Sequence, residues 1–435
     1  MMERAKRGGL FVLLIVFVML VQACSSSSEE DKSDNGTSSE ATATDSASVS
    51  KELEKKSDSR GESAPATEEA APDRSEEPTS AEGSTNGEQG NLPDAGTLTA
   101  GEWDDNAKWS TWNKLMASHE GEENRPYWRF YDFRRLEVKV KADGKPVADA
   151  AVVLTSKDGQ QAWAARTNAA GVAYMFPTIF IEQGGDRKYS LTVTAGQQKK
   201  QFENVELKQG RSMDVSFDEA MRPSALVDLM LVVDTTGSMS DELRYLESEL
   251  KDVVTRVSEQ NNGQLDIRVS PNFYRDEHDD YVVRPFPFTR DIDKAVGQIA
   301  EQEAFGGGDF PEAVESALGN AIEGHEWSKE ALARLMFVVL DAPPHHEPQV
   351  LKKLQSLTEK AAEQGIRIIP IASSGVDIAT EHLMRYMAVS TGGTYLFLTD
   401  HSGVGGEHLK PAVGEYEVRA LNDLMVDIIT RYCRS

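Results

Sequence analysis

From about residue 226 onward the chain alternates apolar runs with amphipathic stripes, and this alternation leaves few ways to fold. Runs at 227–233, 265–269, 281–285, 335–340, 366–371 and 394–398 have strand length. Between and after them, three sets of apolar residues recur with helical spacing. The first is Leu243, Leu246, Leu250, Val253 and Val257, the second Val350, Leu354, Leu357 and Ala361, and the third Leu421, Leu424, Met425, Ile428 and Ile429. Strands alternating with helices predict an α/β domain over 225–434, a mostly parallel sheet with helices on both faces.

In an open sheet of this kind ligands bind outside the C-terminal ends of the strands, and three loops with oxygen ligands are expected there. The first, Asp234-Thr235-Thr236-Gly237-Ser238-Met239-Ser240, follows the strand at 227–233. A carboxylate with hydroxyls two and four residues on can wrap a hard cation from one turn, and Gly237 permits the tight backbone. Ser238 and Asp241 also have the spacing of a helix capping box, so Ser238 has a capping role open to it as well. The second loop, Gly306-Gly307-Gly308-Asp309-Phe310-Pro311-Glu312, lets the backbone approach a ligand closely, with Asp309 pointing at it and Pro311 in the first turn of a helix. The third is Asp341, at the end of 335–340, followed by Ala342-Pro343-Pro344-His345-His346.

In order and strand placement these loops resemble a von Willebrand factor A domain with a metal-ion-dependent adhesion site. The family pattern is an aspartate, serines two and four residues on, a threonine from a second loop and an aspartate from a third. Asp234 and Ser238 match, Thr236 stands as a hydroxyl substitute for the first serine, and Asp341 matches the third-loop aspartate. The second loop departs from the pattern, offering Gly308 where threonine is expected, with Asp309 beside it. The resemblance thus implies a cation held by Asp234, Thr236, Ser238, Asp309 and Asp341, with a carboxylate of a partner completing its sphere. All-oxygen ligation favours Mg²⁺, with Mn²⁺ or Ca²⁺ as alternatives. Direct ligation by Asp309 would put three carboxylates around a doubly charged ion and weaken its pull on an acidic ligand. His345 and His346 are expected at the surface or behind the ligands. The run Asp276-Glu277-His278-Asp279-Asp280 reads as a solvated hairpin tip, with a second Ca²⁺ site as the alternative.

Upstream, 136–220 changes to period two: Leu136, Val138 and Val140 alternate with Glu137, Lys139 and Lys141. Further strands fit 147–154, 172–176, 189–193, 205–207 and 213–217, with frequent turns between, and predict a small all-β sandwich. Val138-Lys139-Val140, Gly144-Lys145-Pro146-Val147 and Ala150-Ala151-Val152, with Thr167-Asn168 and Gly171 downstream, resemble the carboxypeptidase-regulatory-like or transthyretin-like sandwich. Such modules are usually spacers or binding platforms. A lead-in at 101–135 carries Trp103, Trp109, Trp112, Tyr127, Trp128, Phe130, Tyr131 and Phe133. Two readings stand for it, core packing against the next domain or an exposed platform for stacking sugars.

The stretch 24–100 has no hydrophobic period and predicts a disordered spacer. Between residues 25 and 100 it holds 18 acidic and 6 basic residues, a difference of -12 within the chain's formal net charge of -26. That charge makes nucleic acid a poor partner. At the N-terminus Arg4, Lys6 and Arg7 precede an apolar run at 10–21, shorter than the ~20 residues of a membrane span. It reads as an export signal over 1–23, with a short anchor helix as the alternative. Val21-Gln22-Ala23-Cys24 resembles a bacterial lipobox, which implies cleavage before Cys24 and acylation of its thiol. With Cys24 lipidated, Cys433 has no internal disulfide partner, and it reads as a packed thiol or as one that pairs between molecules. The expectation is a non-enzymatic protein, lipid-anchored at the cell envelope and facing outside the cytoplasm, that binds a protein or peptide through the cation. The alternative is an envelope scaffold whose metal is only structural.

Overall fold

The first strand of the α/β sheet lies upstream of the sandwich, so the chain opens one domain, leaves it, and returns. In the computed structural model residues 94–434 are described, apart from 209, 220, 221, 223, 261 and 262. The expected signal, Cys24 and all of the spacer up to residue 93 lie outside the described residues.

In chain order, β1 (Thr99–Trp103), α1 (Trp109–Met116) and α2 (His119–Trp128) come first. Eight strands follow: β2 (Leu136–Ala142), β3 (Lys145–Pro146), β4 (Ala151–Thr155), β5 (Gln161–Arg166), β6 (Val172–Met175), β7 (Lys188–Ala195), β8 (Gln198–Glu206) and β9 (Arg211–Phe217). They form two four-stranded sheets. One has the order β3-β2-β6 with β9 parallel to β2, and the other is β5-β4-β7-β8 and antiparallel throughout. The alternation read in β2 holds, with Leu136, Val138, Val140 and Ala142 buried.

The remainder is β10 (Leu226–Asp234), α3 (Ser240–Gln260), β11 (Asp266–Tyr274), β12 (Val283–Pro285), α4 (Ile292–Ala300), α5 (Val314–Glu323), β13 (Ala333–Leu340), α6 (Pro348–Gln364), β14 (Ile366–Ala372), α7 (Ile378–Thr391), β15 (Tyr395–Leu398), β16 (Arg419–Ala420) and α8 (Leu421–Tyr432). The large sheet runs β12-β11-β10-β13-β14-β15-β1-β16, parallel from β11 to β15 and antiparallel at its outer strands. Alternate residues of β10 feed two cores. Leu229, Leu231 and Val233 pack with the stripe of α3 and with α8, while Met230 and Val232 face a core shared with α5, α6, α7 and the sandwich. This is the mixed α/β architecture read from the sequence.

One boundary moves. The spacer read to residue 100 and the lead-in read from 101 meet inside β1, where Leu98 and Ala100 are buried. Gly101 lies within this strand, paired with Phe397, and glycine is needed there because a Cβ would stand 2.4 Å from the Phe397 ring. The lead-in aromatics settle as core: Trp103, Trp112, Trp128, Phe130 and Phe133 are buried, and only Tyr127 is largely exposed. The sandwich is fixed to the α/β layers by polar ties as well, Arg334 donating to both oxygens of Asp149 at 2.7 and 3.1 Å and Arg367 to Arg166 O at 2.6 Å. Cys433 caps α8, half-buried and without a disulfide among the described residues, and burial pushes its thiol up to about 12.

Candidate metal centre

Asp234 ends β10 in the middle of the sheet, fully buried, and its loop folds back over it. Asp234 Oδ1 accepts from the Thr236 N–H at 2.8 Å and from the Thr236 hydroxyl at 2.7 Å, and Thr236 Oγ1 lies 3.3 Å from Ser238 Oγ. Oδ2 of Asp234 and the Tyr274 hydroxyl facing it lie buried without a hydrogen bond of good geometry. Ser238 makes no helix cap. A 3-10 turn at Gly237–Met239 holds Ser238 ahead of α3, and its hydroxyl faces the carboxylate of Asp341, where it favours the charged form. Asp341, 5% exposed, follows β13, and its Oδ1 has no partner. Ser238 is exposed, so the crevice opens to solvent there.

The electrostatics match this burial. Asp234 is raised to about 7, first by burial and then by Asp341, against the bonds from Thr236. Burial also raises Asp341, with Ser238 opposing. Two buried carboxylates, each with an unpartnered oxygen and flanked by two hydroxyls, form a donor set of the kind a hard divalent cation takes. Among the described residues no three His, Cys, Asp or Glu side chains gather closely enough to hold an ion by themselves. Any ligation here therefore draws on the hydroxyls.

The second loop differs from its reading in three ways. Asp309 and Gly308 are exposed, so Asp309 is not among the acids buried with Asp234 and Asp341. Glu312 is the acid turned inward, 4% exposed. Pro311 is not in a helix, because α5 begins only at Val314. Glu312 is instead held by its N–H to Pro343 O at 2.9 Å, which stitches the second loop to the third. Burial, then Asp234, Asp276, Asp341 and Asp279, push Glu312 up to about 9. Nothing in the sequence ranks residue 312 above 309, since both are acids in one glycine-rich loop and only the path of the backbone separates them.

The acidic run after β11 is not simply a hairpin tip. Asp279 Oδ2 accepts from Gly307 N at 2.9 Å and from Asp276 N at 3.1 Å, so this turn braces the glycine loop. A Cβ at Gly306 would fall 2.1 Å from Asp279 Oδ1, which fixes glycine there. His345 Nε2 lies 2.7 Å from Asp276 Oδ1; burial would lower the imidazole, but Asp276 overrides this and raises it. His346 stacks on Tyr127 at 3.8 Å, at the surface.

Comparison with known proteins agrees with this layout. Over 127 residues the chain is 32% identical to an ariadne-like RING finger protein of Acanthamoeba polyphaga mimivirus. The aligned stretch is 29% of this chain and spans only 12% of that relative's length. A family model described as the von Willebrand factor A domain matches residues 228–404, a span that includes all three loops and leaves β1, β16 and α8 outside. By this match, residues 228–404 are similar to a von Willebrand factor A domain.

Proposed function

We propose that this is a lipid-anchored cell-surface protein that binds a protein or peptide ligand at a divalent cation in its von Willebrand factor A domain. Domains of this family commonly mediate protein interactions, and the finer reading rests on one observation. Buried oxygens without partners, Asp234 Oδ2 and Asp341 Oδ1, meet the Thr236 and Ser238 hydroxyls in a crevice open to solvent. Asp234 and Asp341 would balance the charge of Mg²⁺, the first choice, or of Mn²⁺ or Ca²⁺, and Thr236 and Ser238 would add neutral oxygens. When bound, the ion supplies a positive centre for an acidic side chain of the partner. The role is binding rather than catalysis. An aspartate-dependent phosphatase needs a second carboxylate two residues after the first, where Thr236 donates its hydroxyl to Asp234 instead.

Acylated Cys24 would provide the tether, the acidic spacer the reach, and the sandwich, of carboxypeptidase-regulatory-like or transthyretin-like type, a platform outside the cytoplasm. The test is calorimetric titration of Mg²⁺ and Mn²⁺ into the wild-type chain and Asp234→Ala, paired with capture of partners from envelope extract with and without chelator. Saturable binding that the variant loses, together with capture that chelator abolishes, is expected. Equal capture in all conditions would sink the adhesion reading, and if cation binding persisted it would leave the scaffold with a structural metal.

A further inference from the structure

Glu312 is a buried acid that the protein alone does not satisfy. Its Oε2 has no partner. Oε1 lies against Gly307, where a Cβ would stand 3.1 Å from it and 3.3 Å from Thr236 Cβ, so the missing side chain at 307 is what lets Glu312 approach the first loop. The isolated bridge between Glu312 and Pro344 places it beside the third loop as well, a short way past Asp341.

Neither protonation state is at rest there. An ionised carboxylate would sit uncompensated near Asp234 and Asp341, and a proton on Oε2 would be a buried hydroxyl without an acceptor. The nearby basic groups are engaged elsewhere. His345 is paired with Asp276, and the Arg275 guanidinium donates to Thr235 O at 3.2 Å and Glu303 O at 2.7 Å. Compensation must come from outside the chain. In the observed arrangement this is not direct ligation together with both aspartates, because no three acids among the described residues stand close enough to hold one ion.

Building on the cation site proposed above, we propose that Glu312 is the outer acid of that site, accepting a hydrogen bond from a cation-bound water and filling the second-loop place where the family pattern has threonine. With the ion bound, Asp234, Asp341 and Glu312 bring the formal charge to -1, so Glu312 also limits how strongly an external carboxylate is drawn to the ion. It is a positioning residue, acting through water.

The probe is Mn²⁺ with the full chain, its affinity read by electron paramagnetic resonance and its inner-sphere waters by water-proton relaxation. Glu312→Gln keeps the shape and removes the charge. It is expected to weaken Mn²⁺ binding roughly 10–100-fold, the range for residues that support metal ligands through a second contact, with the number of inner-sphere waters unchanged and acetate displacing those waters more readily. Asp309→Asn should bind within about twofold of wild type. Wild-type affinity in Glu312→Gln would overturn the proposal, and so would a gain of one inner-sphere water, which would make Glu312 a direct ligand. If Glu312→Gln fails to fold by circular dichroism, Glu312→Asp, which withdraws the charge, takes its place. Weakening of at least severalfold supports the role, and unchanged affinity removes it. Absence of Mn²⁺ binding to the wild type would bring down the cation site and this role together, whereas tight wild-type binding matched by Glu312→Gln removes this role alone.

Discussion

Two buried acidic clusters lie in the same α/β domain, and they are satisfied in opposite ways. In the first, Arg385 of α7 donates to both oxygens of Asp105 at 2.9 and 2.8 Å and to Glu381 at 2.9 Å. Trp103 Nε1 donates to Asp105 at 2.9 Å, and the Ala412 N–H reaches Glu381 at 3.0 and 3.1 Å. Every carboxylate oxygen in that cluster has a donor. Burial would lower Arg385, but its two acids override this and hold it charged. In the second, Asp234, Asp341 and Glu312 each keep a buried oxygen without a partner. A closed network of this kind ties the segment before the sandwich to the segments after it. An open one is a demand on solvent or on an ion, and it stands at the strand ends where the chain can meet one.

That contrast can be broken at either end. Arg385→Met strands two carboxylates in the core and is expected to cost about 5 kcal/mol, the upper range for removing one partner of a buried ion pair. Urea unfolding measures it, and a loss below about 1 kcal/mol would mean the first cluster is not the clamp described.

The second cluster should give the molecule a pH dependence of opposite sense to that of paired acids. In chelator, Asp234 titrates at 3.8 in the unfolded chain and at about 7 in the folded one. Between these values the unfolded chain releases a proton that the folded chain keeps, so stability falls as pH rises through the window, by up to about 4 kcal/mol at roughly 1.4 kcal/mol per unit. Glu312, raised to about 9, adds to the fall with the same sign. Denaturation curves across this range should flatten in Asp234→Asn, and an unchanged slope would show that burial of Asp234 carries no such cost. The smallest effect expected is for Gly307→Ala. With φ at +74° a side chain is strained by roughly 1–2 kcal/mol, and the new methyl presses on Glu312, so a modest loss of stability should come with weaker Mn²⁺ binding than in wild type.

Much of this was open to reading in the chain. The apolar run that becomes β10, with Asp234 placed at its end, marked one strand and one buried carboxylate, because a core strand must be apolar and a carboxylate there needs a reason. The stripes of α3, α6 and α8 stood out because each of these helices has one face on the core and the other in water. Helix α7 did not, since all of 380–391 is buried and no polar face marks its period. Strand β1, with Gly101 at its centre, was divided between the end of the spacer and the start of the lead-in.

Local sequence therefore determined the types of those elements with a clear period, the alternating layers, the positions of the first and third loops and the period of the sandwich, all set by spacing along one stretch of chain. Only the tertiary structure decided that β1 closes a sheet begun at the far side of the sandwich, and that Glu312 rather than Asp309 turns toward Asp234. Both depend on contacts between segments distant in sequence: β1 registers on β15, and the second loop takes its path from Asp279 on one side and Pro343 on the other. Periodicity carries no record of such pairings.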